Sequence, residues 1–107
     1  MHAVTAASGS SPAYFFQFLE AMQQGLIEMG LDEKQSRELV QQAMLGSAKL
    51  VIENPQTALS TLRENVTSKG GTTAAALNVF NQLQFNDIIK QAMQACVARS
   101  QEMEKLF

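Results

Sequence analysis

The residues best suited to chemistry are Ser68-Lys69-Gly70-Gly71-Thr72-Thr73, which lead into an apolar helical pattern beginning at Ala74. A helix start presents unpaired backbone N–H groups and the positive end of the macrodipole, and glycine there lets an anion approach the backbone without meeting a Cβ. Ser68, Thr72 and Thr73 add hydroxyls, as does Thr67 just before them, so the segment suits a carboxylate or a phosphate. The same residues also read as a tight interhelical turn with a threonine as N-cap, and spacing alone leaves both readings open. The segment is not a P-loop, which requires Gly-Lys-Ser/Thr after a strand.

Other catalytic arrangements are poorly supplied. The single histidine, His2, lies among the opening residues, read as frayed, so a Ser-His-Asp or Cys-His arrangement has no base and a zinc site too few ligands. Cys96 falls on the apolar side of a helix and reads as packing, and Tyr14 reads as packing or as a polar handle at an interface. The carboxylates are scattered over solvated faces, with Glu33 and Arg37 at helical i,i+4 spacing.

Five helices must position these residues. Met1 to Ser11 is small and polar and reads, with Pro12, as a linker-like lead-in whose serines cap a helix with proline in its first turn, so the helical domain is assigned to residues 13–107. Tyr14, Phe15, Phe18, Leu19, Met22, Leu26 and Ile27 recur at three- and four-residue spacings until Gly30 stops the first helix. Asp32 caps the second, with Gln35 at the third position, and that helix runs to about Glu53 with Gly46-Ser47-Ala48 as a close-approach site for another helix. Asn54-Pro55 ends it. A short third helix spans about Thr57 to Asn65, a fourth carries Ala74 to Leu83, and Asn86 or Asp87 caps a fifth that reaches the charged end near Lys105.

Composition sets the class. Of 107 residues 46% are hydrophobic, enough for one compact domain that buries about two thirds of its unfolded surface. Few β-branched residues and only two prolines make it all-α. A net charge of -2 gives no footprint for nucleic acid or an anionic membrane, and no apolar run approaches the ~20 residues of a transmembrane helix. One cysteine excludes an internal disulfide and fits a reducing, cytoplasmic setting. The first helix, with Phe15, Phe16 and Phe18, is apolar over more than one face, which a monomer does not need.

The run from Ala58 to Asn81, containing Arg63-Glu64-Asn65-Val66-Thr67-Ser68-Lys69-Gly70-Gly71-Thr72-Thr73, closely resembles the signature segment of pyrroline-5-carboxylate reductases. Ala3-Val4-Thr5, Ser8-Gly9-Ser10-Ser11-Pro12-Ala13-Tyr14 and Leu45-Gly46-Ser47-Ala48-Lys49 extend the likeness over almost the whole chain. It departs from the family pattern at Ser11, where glycine is usual, and at Lys69, where proline is usual. The chain resembles only the C-terminal helical half of such enzymes, because no G-x-G-x-x-G or βαβ pattern of a Rossmann unit occurs in it.

The resemblance implies an all-α, interlocked homodimeric domain, in many members assembled as a decamer of five dimers. It implies an enzyme that reduces 1-pyrroline-5-carboxylate to proline with NADPH or NADH, this chain alone being inactive. Ser68, Gly70, Gly71 and Thr72 would hold the substrate carboxylate, and Thr73, the catalytic candidate, would also orient or donate to the ring nitrogen. Asn65 would touch both cofactor and substrate, and Val66 would line the pocket. The alternative is a helical interaction module that keeps this fold without the site.

Overall fold

The computed structural model describes residues 2–106, and every regular element among them is helical. A short opening helix α1 (His2–Val4) runs through one π-helical stretch (Thr5–Gly9) into α2 (Ser11–Glu28). Then follow α3 (Glu33–Glu53), α4 (Leu59–Asn65), α5 (Thr72–Gln82) and α6 (Phe85–Leu106). The five helices read from the sequence are α2 to α6.

Several boundaries follow directly from local chemistry. At the end of α2 the Gly30 N–H donates to Ile27 O at 3.0 Å and the Leu31 N–H to Leu26 O at 3.1 Å, with Gly30 at φ 109°. This paired closure needs a left-handed residue, which glycine supplies at no steric cost. The Asp32 carboxylate then accepts from the Gln35 N–H at 2.7 Å and caps α3. Helix α4 starts at Leu59 rather than Thr57, because Thr57 N–H closes a turn on Asn54 O at 3.0 Å and Ala58 is extended. Helix α6 starts before Asn86 and Asp87, with Ile88 N–H bonded to Gln84 O at 3.0 Å, so neither of those residues is its cap. Arg37 donates to Gln41 Oε1 at 3.2 Å rather than pairing with Glu33.

The lead-in differs most from the linker expected of it. Residues 2–10 are wound helically onto α6: Ala6 is 1% exposed, the His2 ring lies 2.7 Å from Ser100 Oγ and 2.7 Å from Glu104 Oε2, and the Cys96 thiol donates to Ser10 Oγ at 3.3 Å. His2 is therefore engaged rather than frayed. Ser10 occupies the N-cap position of α2 without capping it: the chain arrives helical, with the Ser10 N–H on Thr5 O at 2.9 Å, and the Ser10 hydroxyl accepts from Cys96 instead. Small residues carry little local signal here, and their order comes from a helix almost a hundred residues away.

Helix α2 packs along α3, and three phenylalanines tie it to the end of the chain. Phe80 and Phe85 stack with centroids 5.1 Å apart, and Phe18 of α2 meets each of them edge-on at 6.4 Å. Gln84 makes this possible by turning the chain at φ 59° between α5 and α6.

The protomer does not cover itself. Val40 and Ala6 are the buried apolar side chains among the described residues, while twenty large apolar ones stay exposed. Its accessible surface is 8755 Å², against about 5,900 Å² for a self-contained monomer of this mass, so about half of the unfolded surface is buried rather than two thirds. The radius of gyration is 16.5 Å where a compact chain of this length has about 13 Å. A Cβ at Gly46 would meet nothing within 4 Å, so no helix of the protomer seats closely on it. Ser47 and Ala48 instead line an open apolar groove of about 550 Å³, together with Phe15, Met22 and Val51. Among the described residues no helix is long and apolar enough to cross a membrane.

A left-handed residue with a Cβ costs about 1–2 kcal/mol, and Gln84 carries that cost at the α5–α6 junction. Gln84→Gly is therefore expected to stabilise the fold by about 1 kcal/mol, after its own entropy loss, in urea unfolding at fixed protein concentration. Unchanged or lower stability would show that the turn carries no such strain.

Candidate functional site

The site begins where α4 stops. Asn65 is its last residue, and the next turn is closed by Thr67, whose N–H donates to Glu64 O at 3.0 Å and whose hydroxyl donates to Arg63 O at 2.6 Å. Both donors of Thr67 are thus committed to finishing α4. Asn65 and Val66 are exposed, Val66 at 65%.

The chain then reverses through Ser68-Lys69-Gly70-Gly71. The Gly71 N–H donates to Ser68 O at 2.9 Å, and Gly70 sits at φ 72°. The two glycines do different work. Gly70 supplies the left-handed backbone that a side chain disfavours. Gly71 allows close approach, since a Cβ there would lie 3.1 Å from Ser68 O and 3.3 Å from Ser68 Cβ. The crowding is against the turn itself, so a bulky residue at 71 would disturb the loop before it obstructed any ligand.

This geometry corrects the sequence reading in two respects. The Gly71 amide is spent on Ser68 and is not free for an anion. The N-cap of α5 is Gly71, not a threonine, and it offers no side-chain cap. Consequently the first-turn amides of Thr72, Thr73 and Ala74 have no backbone acceptor among the described residues, and Thr72 and Thr73 are both exposed. No acidic side chain stands in that first turn, so the positive end of the α5 dipole is uncompensated. Lys69, exposed at the turn tip, adds further positive potential.

Ser68, Gly70, Gly71, Thr72 and Thr73 therefore form one continuous strip, with Asn65 and Val66 at its α4 edge. What they do not form within one protomer is an enclosed pocket. The larger cavities lie elsewhere: the α2–α3 groove, and a trough of about 610 Å³ along α6 lined by Ala6, Phe85, Ile89, Met93 and Val97. The strip can hold an anion against backbone N–H groups and present a hydroxyl beside it. Among the described residues no cluster of His, Cys, Asp or Glu could hold a metal ion.

One polar grouping escaped the sequence reading. The Ser10 hydroxyl, then the Tyr14 hydroxyl, hold the Cys96 thiol below its ordinary value, while closeness of the Cys96 sulfur, then burial, raise Tyr14. The Tyr14 hydroxyl is fully shielded and makes no hydrogen bond of ordinary geometry. Ser10 and Cys96 are 86 positions apart, and no local pattern could have joined them.

Comparison with known proteins gives this geometry a context. A sequence model of the family described as pyrroline-5-carboxylate reductase dimerisation matches residues 1–103. The pyrroline-5-carboxylate reductase of Haemophilus influenzae is 77% identical over 107 residues, which is 100% of this chain and 40% of that protein. The enzyme of that name from Pasteurella multocida is 69% identical over 107 residues, again 100% of this chain and 39% of its own length. A crystal structure of Plasmodium falciparum pyrroline carboxylate reductase with NADP bound superposes with a TM-score of 0.90 at 31% identity, covering 96% of this chain and 39% of that one. The chain thus spans about two fifths of the length of the relatives it matches. With a family match over nearly its whole length and an all-helical fold shared with a solved reductase, the chain belongs to the pyrroline-5-carboxylate reductase dimerisation family.

Proposed function

We propose that this chain is the dimerisation and substrate-binding part of a reductase that converts 1-pyrroline-5-carboxylate to proline with NADPH or NADH. The observation that carries the reading is the start of α5: three unpaired amides, an uncompensated dipole and two threonine hydroxyls directly after a glycine turn. The substrate is a ring imine bearing a carboxylate. Its carboxylate would accept from the amides of Thr72, Thr73 and Ala74, with the Ser68 hydroxyl beside them and Gly70 and Gly71 shaping the approach. The Thr73 hydroxyl, in the first turn and free of any capping duty, would orient the ring nitrogen or donate to it. Val66 would supply an apolar wall.

A nicotinamide supplies the hydride, and the protein's task is to position the ring for it. Asn65 is the residue here that would meet the nicotinamide end. The described residues contain no strand–glycine turn–helix unit for a pyrophosphate, so the greater part of the cofactor would rest on protein beyond this chain, and the chain alone would be inactive. The reaction would run in the cytoplasm, where Cys96, free in this fold, stays reduced.

The strip is open on one protomer, and a second copy would close it. The excess surface of about 2,900 Å² per protomer, about 5,800 Å² for a pair, reaches the upper end of obligate homodimer interfaces, and the groove lined by Ser47 and Ala48 would take a partner helix. Five such dimers in a ring would give the decamer.

Four outcomes test this reading. In sedimentation equilibrium the chain should stay at or above twice 11.7 kDa down to low micromolar concentration, ten times 11.7 kDa marking the decamer, and a folded monomer there would remove the interlocked dimer. In a ¹⁵N-resolved titration with L-proline, shifts should concentrate on Thr72, Thr73 and Ala74. Silence at those amides would favour the interaction module, and tighter binding of inorganic phosphate than of proline would point to a phosphate ligand. In the intact reductase, Thr73→Val should lower kcat on the order of a hundredfold with the dimer preserved, whereas a rate within threefold of the parent would relieve Thr73 of any catalytic duty. Lys69, the second residue of the turn, has no hydrogen-bonded backbone N–H, so Lys69→Pro should add about 0.4–1 kcal/mol of stability by thermal or urea unfolding. A destabilised variant would show that Lys69 does not hold the backbone angle proline requires.

A further inference from the structure

We draw no further inference here: the strongest candidate, the cavity of about 330 Å³ between the opening helical segment and α6 where Cys96 stands beside Ser10, Arg99 and Ser100, rests on a lone cysteine with no second group pointing to a ligand.

Discussion

Apolar surface that one protomer cannot cover governs the rest of this structure. The excess of about 2,900 Å² per chain, carried in part by exposed Phe15, Phe16, Ile52 and Leu83, is an unfavourable hydration term well beyond what a self-contained domain of this mass leaves in water. Helix propensity cannot offset a term of that size. The architecture carries the same feature: α2 packs on α3 yet leaves a groove that no residue of α4 or α5 lines. Such a chain leaves its core open, and the family to which it belongs is described by its dimerisation.

Within the protomer, contacts between the ends of the chain hold the frame. Phe18, Phe80 and Phe85 join the first long helix to the last two, and the opening residues lie along α6 through Ala6, His2 and Ser10. The stacked pair needs the chain to reverse within a few residues, and Gln84 achieves that at the expense of a left-handed backbone. An aromatic cluster and a strained turn are thus one feature, since relaxing the turn by lengthening it would separate the rings.

The strip at the start of α5 depends on the same frame at one remove. Its amides are free because the residue before the helix is glycine, which has no side chain to cap them, and because the preceding turn consumes only the Gly71 N–H. A serine or aspartate at that position would cap the helix and stabilise it by about 0.5–2 kcal/mol. Leaving the cap out gives up stability locally in return for donors directed at solvent, and the adjacent positive charge of Lys69 strengthens the field they make.

Much of this was legible in the residues themselves. Helix number, the Gly30 closure, the Asp32 cap and the break at Asn54-Pro55 are decided by interactions within five positions, which spacing and residue type encode. The glycine-threonine strip was visible for the same reason, and its family likeness lies in one uninterrupted segment. Other features are decided across the fold. The helical seating of residues 2–10 comes from α6, the Cys96–Ser10 contact joins positions 86 apart, and the open groove beside Ser47 comes from how α2 and α3 splay. Even within the strip, the division of labour between Gly70 and Gly71 required the turn geometry, because a glycine chosen for its backbone angle and one chosen for lack of a Cβ are the same letter. Local hydrogen bonding sets the elements, whereas the direction of each apolar face, and how much of it stays bare, were fixed only when distant helices met.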